Sequence, residues 1–281
     1  YTALFRSLYD TYGFPFDLTA DVCRERGVTL DEVGFERQLE AQRERARAAS
    51  QFGADYGAAL ELEGETDFTG HERLEDRATV TALADREGHA LACLTPEHKA
   101  VVVLDRTPFY GESGGQVGDT GYLHLEDGSR FLVEDTQKQG GHHLHHGVLL
   151  EGTLAVGAAV RPEVNGALRA ATVRNHSATH LMHKALRLVL GDHVAQKGSL
   201  VTPERLRFDF SHFEPVTAEQ LAEVERLVNE QILANAPTRI EQMTLDQAKA
   251  KGAAALFEAK YADSVRVLTI GADDFSIELC G

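Results

Sequence analysis

The hydrophobic and polar positions of this chain fall into three patterns, which predict three kinds of structure. In residues 1–50 the apolar positions recur every three or four residues, the spacing of amphipathic helices. Residues 51–165 carry short apolar runs separated by turns rich in Gly, Asp and Pro, a pattern typical of a small antiparallel β-barrel. Residues 166–281 mix both periods. We therefore predict an α+β fold with a helical N-terminal segment, a glycine-rich β-barrel and a two-layer α/β sandwich.

Helices of the third region are marked by their start and stop signals. We expect a helix over Asn175–Leu190, ended by Gly191, with Leu181, Ala185 and Leu188 on its buried face. Strands are predicted at Ala78–Leu83, Ala90–Leu94, Ala100–Leu104, Tyr122–Leu125, Arg130–Val133, Val148–Leu150, Arg205–Phe210, Val265–Thr269 and Phe275–Leu279.

Two capping boxes predict where further helices begin. Thr217 is followed three residues later by Gln220, and Thr244 by Gln247, which would open a helix over Ala248–Phe257. The apolar stripe of the helix after Thr217 is expected to face a sheet, and its members are Leu221, Val224, Val228 and Ile232.

Composition narrows the class of protein. Of the 281 residues 43% are hydrophobic and 26% are charged, as in an ordinary globular protein rather than a disordered one. The longest apolar run, Ala100–Leu104, is far shorter than the ~18–20 residues of a membrane span, so we expect no membrane partner. The cysteines are three and widely spaced, which favours a reducing compartment and predicts a cytoplasmic location. Since the sequence starts at Tyr1 within a helical pattern, we expect a piece of a longer protein.

Charge argues against a general nucleic-acid binder, with one local exception. The formal net charge is −16, which disfavours binding to DNA because phosphate attraction dominates non-specific affinity. Residues 161–210 nevertheless carry eight basic and four acidic residues. This window is the candidate anion-facing surface, although an ordinary mixed surface has the same composition.

Two histidines at helical spacing form half of a candidate metal site. His176 and His180 are four residues apart, so their imidazoles share one helix face and can reach one ion. Packing or surface roles remain open for such a pair. Cys280 is a third candidate ligand, and two imidazoles with one thiolate suit zinc. Ser177 stands where a zinc peptidase needs glutamate, which disfavours peptidase chemistry. We interpret His183 as an outer partner of this site or a surface residue.

Two further segments, one flanked by glycines and one rich in them, are weaker indications of a functional site. The histidine-rich segment His142–His146 is predicted to be a solvated turn, because adjacent pairs on a loop have no fixed geometry for a metal. Gly111–Asp119 is a glycine-rich turn that permits positive φ and the close approach of another backbone or of a phosphate. It matches neither a Walker loop nor a dinucleotide fingerprint.

Taken together, several sequence strings resemble the alanyl-tRNA synthetase family. They cover nearly the whole chain, from the end of the family's tRNA-recognition region through the two halves of its editing domain. The strings are Leu8–Pro15, Thr107–Tyr110, Glu112–Gln116, Val133–Gln137, Asn175–His183, Gln196–Leu200, Arg207–His212 and Glu278–Gly281.

The resemblance implies a zinc site in this chain and an aminoacylation site in another part of the protein. The family's two histidine ligands correspond to His176 and His180 and its cysteine ligand to Cys280, while its fourth ligand, a histidine four positions later, would follow Gly281. The family's class II aminoacylation domain has no counterpart in these residues. ATP and Mg²⁺ would therefore belong to that other part of the protein.

The resemblance also implies the reaction and its site. A pocket for alanine cannot exclude glycine and rejects serine poorly, so a second site hydrolyses the mischarged tRNA(Ala). By resemblance, the substrate pocket would be lined by Gln196, Thr179 and Ser199. The acceptor end of the tRNA would be contacted by Gly114, Gly115, Gln116, Lys197, Arg174 and Arg207.

Three alternatives stay open at the level of sequence. The chain could be a free-standing editing deacylase, which the helical residues 1–50 argue against. It could be a catalytically silent tRNA-binding module, or an unrelated zinc hydrolase acting on peptides. Bound zinc and ester hydrolysis would separate these alternatives.

Overall fold

The computed structural model describes residues 64–96, 98–253 and 264–279, together with Leu62 and five separate residues closer to the N-terminus. Its contacts divide the chain into two compact units, Tyr1–Asp55 and Tyr56–Gly281. The helices expected in residues 1–50 lie outside the described residues, except that Cys23, Gly34 and Arg37 are helical. In the described ranges, no helix combines the length and apolar surface needed to cross a bilayer.

The described residues between 64 and 164, in the first part of the second unit, form ten strands. Six of them form a closed barrel in the order β10-β2-β4-β8-β7-β6, and every neighbouring pair is antiparallel. The strands are β1 (Asp67–Phe68), β2 (Ala78–Asp85), β3 (Cys93–Leu94), β4 (Lys99–Leu104), β5 (Arg106–Thr107), β6 (Gly121–Leu125), β7 (Arg130–Gln139), β8 (His142–Leu149), β9 (Leu154–Ala155) and β10 (Ala159–Val164).

An apolar core fills the barrel because its strands alternate between inward and outward positions. In β2, the buried Ala78 and Val80 alternate with the exposed Thr79 and Thr81. The largest side chains of this core are fully buried and include Leu83, Leu104, Phe109, Leu123 and Phe131. The predicted strands are confirmed, although β3 is shorter than expected and β7 and β8 are longer.

The histidine-rich segment was predicted wrongly as a solvated turn. His142–His146 is the first part of β8, lies between β4 and β7, and has all four imidazoles buried. The turn itself is at Gly140 and Gly141, which have positive φ. A histidine can be part of a core when both ring nitrogens have hydrogen-bond partners there. His145 has such partners inside the barrel, Thr107 and Val102, and packs as a core residue.

The remainder of the unit mixes helices and strands, which confirms the predicted α+β class. A hairpin and a three-stranded antiparallel sheet, in the order β13-β14-β15, both contact the long first helix. The elements are α1 (Gly166–Leu190), β11 (Gln196–Val201), β12 (Leu206–Phe210), α2 (Ala218–Ala234), β13 (Arg239–Thr244), α3 (Leu245–Ala250), β14 (Ser264–Ile270) and β15 (Ser276–Leu279).

Helix α1 is longer than predicted, and its buried face differs from the prediction at one residue. It begins at Gly166, because Asn165 at the end of β10 accepts a hydrogen bond from the Leu168 amide and caps it. It ends at Gly191, as predicted. Leu181 and Ala185 are buried as predicted, whereas Leu188 is 56% exposed and Leu186 is buried instead.

Both capping boxes are confirmed, while the faces of the helices differ from the prediction. Thr217 and Gln220 open α2. Val224 is buried and Val228 packs in the same cluster as Phe208 of β12, but Leu221 and Ile232 are exposed, and the main contact of α2 is with α1. Thr244 caps α3, which ends at Ala250. Residues 254–263, which include the rest of the predicted helix, lie outside the described residues.

Candidate functional site: a histidine-bearing cleft

Helix α1 holds two histidines in a stacked pair. Residues four apart lie on the same helix face, and the rings of His176 and His180 are stacked with centroids 5.0 Å apart and an interplanar angle of 19°. His180 is buried and His176 is half-buried. The sequence prediction that these imidazoles share one helix face is therefore confirmed.

A carboxylate on β15 fixes the second ring of the pair. His180 Nδ1 lies 2.5 Å from Glu278 Oε2, and His183 Nδ1 lies 2.9 Å from Glu278 Oε1. His183 is buried and shares Glu278 with His180, so of its two interpretations the surface residue is wrong and the outer partner of the site agrees with the structure. Glu278 is not among the site residues predicted from the sequence, although an acidic residue in a predicted strand, two residues before a candidate ligand, is a usable signal.

The charge of Glu278 decides which ring nitrogens carry protons. Burial by itself raises the pKa of this carboxyl, but hydrogen bonds from His180 and His183 and their charges outweigh that effect and hold the pKa at about 2. An ionised carboxylate only accepts hydrogen bonds. Both histidines therefore donate through Nδ1–H to Glu278, and Nε2 of His180 is the atom that would ligate a metal.

A neutral acceptor fixes the first ring in the same way. His176 Nδ1 lies 2.6 Å from the side-chain oxygen of Gln116, which is buried at the end of the glycine-rich turn. An amide oxygen accepts a hydrogen bond, so His176 also donates through Nδ1. Metal-binding histidines characteristically present one nitrogen to the ion and donate the other to a carboxylate or carbonyl. The described donors therefore fit two positions of a zinc site.

Backbone contact brings the glycine-rich turn to this position. The amide of Val201 on β11 donates to Gly115 O at 2.8 Å, and the Val117 amide donates to Val201 O at 3.1 Å. Gly115 has φ +86°, and a Cβ there would lie 2.4 Å from Ser199 O. The glycine is needed because another backbone approaches closely, which is one of the two roles predicted for this turn. Gly114 has φ +59° and space around it.

A cleft of about 350 Å³ opens beside the stacked histidines. It lies between loops of the barrel, helix α1 and strands β13 and β14, and Gln116, His176 and His180 are among its lining residues. Arg169 forms part of its wall and is held by Asp119 and by the carbonyls of Gly70 and Pro108. The volume is within the range of small-molecule sites.

The other predicted site residues that the structure describes do not line this cleft. Thr179 is buried and its hydroxyl donates to Asn175 O at 2.8 Å, one turn back along α1. Gln196 and Ser199 are half-buried on β11. The basic residues Arg174, Lys197 and Arg207 are exposed, and Arg207 pairs with Asp209. Cys280 lies outside the described residues.

A second group of potential ligands occupies an exposed turn after β2. Ligand atoms of Asp85, Glu87 and His89 lie within 4.8 Å of one another. His89 Nδ1 also lies 2.9 Å from Asp85 Oδ2, and the Asp85 carboxylate accepts from the His89 amide. These hydrogen bonds account for the geometry of the turn.

Comparison with known proteins places the chain in a family. A family model described as class II (A) tRNA synthetases matches residues 2–168, more than half of the chain. The chain belongs to the class II tRNA synthetases. That match ends at the beginning of α1, so the stacked histidines of this synthetase chain and Glu278 lie after the matched residues.

Individual relatives extend the similarity beyond the family match. The synthetase chain is 81% identical to an alanine–tRNA ligase of Chromohalobacter salexigens over 274 residues, which is 98% of the chain and 32% of that protein. Alanine–tRNA ligases of Pseudomonas fluorescens and Pseudomonas entomophila are 57% and 56% identical over the same length. The chain thus spans about a third of the length of these relatives.

Proposed function

We propose that this chain is an internal segment of a cytoplasmic alanine–tRNA ligase and acts as its proofreading hydrolase. Its substrate would be tRNA(Ala) mischarged with serine or glycine, and the bond broken would be the ester to the terminal adenosine. The observation that carries the proposal is the anchored His176–His180 pair beside a cleft, in a chain 81% identical to part of an alanine–tRNA ligase. ATP and Mg²⁺ would serve the aminoacylation step elsewhere in such a ligase.

A proofreading site is needed because the pocket that selects alanine for aminoacylation discriminates poorly against serine and glycine. One extra hydroxyl or one missing methyl changes binding by only a few kcal/mol at most, so serine and glycine pass a pocket shaped for alanine. A second site that binds the error can hydrolyse it. Neutral hydrogen-bonding side chains suit the recognition of the serine hydroxyl. We propose Thr179, Gln196 and Ser199 for that role, although they lie on α1 and β11 outside the lining of the cleft.

Some residues of the chain would bind zinc, and others orient these ligands. Zinc would be held by His176, His180 and Cys280, and it would supply polarisation of the ester carbonyl or activation of water. Gln116 and Glu278 keep the two imidazoles in one tautomer and orientation through Nδ1. Since these acceptors are fixed by backbone contacts and burial, the ring positions are set before substrate arrives.

Contacts to the tRNA would come from the surface around the cleft. We propose that Gly114, Gly115 and Gln116 approach the acceptor end, and that the exposed Arg174, Lys197 and Arg207 meet phosphates. Each phosphate contact that is removed should flatten the salt dependence of tRNA binding by about one ion. We expect neither DNA nor a membrane among the partners of this chain.

Deacylation of seryl-tRNA(Ala) and alanyl-tRNA(Ala), with zinc added, tests the proposal. We expect the chain to release serine faster than alanine, and His180→Ala to lose both bound zinc and serine release. The matched control is His98→Ala, which removes an exposed imidazole that lies outside both the cleft and the Asp85–His89 turn, and it should change neither. Retention of tRNA without release of serine would instead favour a silent binding module.

A further inference from the structure

The β11–β12 hairpin connects helix α1 to the glycine-rich turn Gly111–Asp119. On the helix side, the side-chain amide of Asn175 donates to Thr202 O at 2.8 Å and to Pro203 O at 3.3 Å. Thr202 and Pro203 follow β11 directly, in the connection to β12. One side chain of α1 therefore holds the end of this hairpin.

On the other side, the hairpin holds the glycine-rich turn through backbone contacts. Val201, the last residue of β11, is 2% exposed and pairs with Gln116 in a parallel bridge. Its amide donates to Gly115 O, and its carbonyl accepts from the Val117 amide. Because these bonds flank Gln116 on both sides, its position follows that of Val201, one residue before the first carbonyl that Asn175 binds.

These contacts form a path that begins and ends at neighbouring residues of α1. It runs from Asn175 through the end of β11 to Gln116, whose side-chain oxygen lies 2.6 Å from Nδ1 of His176. Asn175 and His176 are adjacent in sequence, so their side chains leave the helix about 100° apart. One turn of α1 thus supplies both the His176 ring and the group that holds the acceptor of that ring.

The residue type at position 175 matters because two carbonyl oxygens converge on one side chain. Carbonyl oxygens only accept hydrogen bonds, so the group between Thr202 O and Pro203 O has to donate to both. An asparagine amide carries two hydrogens on one nitrogen. An ionised aspartate has the same shape and no hydrogen to donate, and alanine has no polar group.

We propose that Asn175 is a positioning residue of the zinc site, which holds the β11–β12 hairpin so that Gln116 keeps the His176 proton on Nδ1 and leaves Nε2 for the metal. This inference rests on the proposed function, whose zinc site it extends by one residue. Asn175 itself binds neither the metal nor the substrate. The effect on the His176 ring does not depend on metal and can be measured in the metal-free chain.

The nitrogen chemical shifts of the rings report their tautomers in the full chain labelled with ¹⁵N-histidine, at about pH 8, where free imidazole is neutral. His176 and His180 should both carry the proton on Nδ1, and loss of signals in His176→Gln assigns the first ring. In Asn175→Ala and Asn175→Asp, which lack the donor, the His176 shifts should move toward the average of the two tautomers. The His180 ring is held by Glu278 and should not change.

Asn229→Ala is the matched control, because Asn229 is an exposed asparagine on α2. It should leave both rings unchanged. Unchanged His176 shifts in either Asn175 variant would overturn the proposal. Equal changes at His176 and His180 would also overturn it, because they would mean that the variants loosen the fold as a whole.

Zinc affinity in single and double variants tests whether Asn175 acts through Gln116. In competition with a chromophoric chelator, Asn175→Ala should weaken zinc binding by roughly threefold and Gln116→Leu by roughly fivefold. If the first residue acts through the second, the double variant should lose about fivefold, rather than the roughly fifteenfold loss of independent effects. A fifteenfold loss would overturn the proposal.

The outcome is separable from that of the proofreading function. Serine release by a chain whose His176 tautomer is unchanged in the Asn175 variants would overturn the positioning role alone. A changed tautomer in those variants, with no serine release by the unmodified chain, would support the positioning role and contradict the hydrolase.

Discussion

Histidines are buried in two regions of this molecule, the barrel strand β8 and the helix α1, and the two regions use them differently. In β8, burial lowers the pKa of His143, His145 and His146, and for His145 the pKa falls to about 3. In α1, His180 and His183 share the ionised Glu278. The first set packs as neutral rings inside a wall, while the second is held by an anion beside a cleft.

The difference teaches that burial of histidines is a poor guide to a site. His145 is fully enclosed and uses both ring nitrogens internally: Nδ1–H donates to Val102 O and Nε2 accepts from the Thr107 hydroxyl. His180 uses Nδ1 for Glu278, and its ring lines the cleft. The useful signal is an acceptor fixed on one nitrogen of a ring that borders open space.

The largest expected effect comes from the barrel. His145→Ala removes a fully buried ring and leaves Thr107 and Val102 without their side-chain partner, so it should cost about 3 kcal/mol of stability. Urea unfolding followed by circular dichroism measures the loss. His89→Ala, on the exposed turn, should change stability by less than about 0.5 kcal/mol. A similar cost at both positions would contradict the packing role of β8.

Loss of the buried anion should weaken metal binding by a smaller free energy. Glu278→Gln replaces an acceptor-only group by an amide that offers hydrogen atoms to one of the two rings, so one imidazole must change tautomer. We expect zinc affinity to fall by about 10- to 100-fold in competition with a chromophoric chelator. Glu134→Gln removes an exposed carboxylate paired with Lys99 and should have no effect on zinc.

Acid should destabilise the barrel before it affects Glu278. The pKa of His145 is lower in the folded chain than the ordinary 6.5. Between about pH 6.5 and 3 the unfolded chain therefore binds a proton at this histidine that the folded chain does not, and the free energy of unfolding decreases as the pH is lowered. From pH 7 to 5 this histidine alone should cost about 2 kcal/mol. Glu278, with its lowered pKa, adds a loss only as the pH falls below its ordinary value of 4.5.

Urea unfolding at several pH values checks this dependence. The slope of stability against pH between 5 and 6.5 should become shallower by one proton in His145→Ala. An unchanged slope would mean that this imidazole is not the group that resists protonation. His143 and His146, whose pKa values burial also lowers, should supply the slope that remains.

The neutral anchor of the first ring should matter least. Gln116→Leu removes the acceptor of His176 Nδ1 without removing a charge, so zinc affinity should fall by roughly fivefold, less than for Glu278→Gln. Gln116→Glu restores an acceptor and should recover that loss. If the leucine and glutamate variants bind zinc equally, the contact with Gln116 does not orient His176.

Local sequence signals predicted the elements better than the surfaces that they bury. Capping residues such as Thr217 and Gly191 act within one turn, so they located helix ends correctly. Leu188 and Leu221 were expected to be buried from periodicity, but which part of a helix face is covered depends on packing between distant elements. The first part of β8, His142–His146, was wrongly predicted to be a turn for the same reason, because β4 and β7 enclose its imidazoles.

The candidate site was predictable only where its members share one helix. The spacing of His176 and His180 is visible in the sequence, and their stacking follows from helix geometry. Glu278 is almost a hundred residues away, and Arg266 reaches the same cleft from another strand. Such convergence is a property of the tertiary fold, which no local pattern encodes.

Helix α1 is attached to the barrel at its N-terminal end, where it follows β10 directly. A single residue, Asn165, separates the strand from the helix, caps it, and donates its own amide to Thr120 O. At 1.5 Å per residue, His176 and His180 lie about 17 Å and 22 Å along α1 from Asn165, and the far end of the helix lies about 37 Å from it. A tilt of about 5° about that residue would move the two histidines by roughly 1.4 Å and 2 Å and the far end by roughly 3 Å. A tilt of α1 about its barrel end therefore displaces the stacked pair by only about half as much as the distal end of the helix.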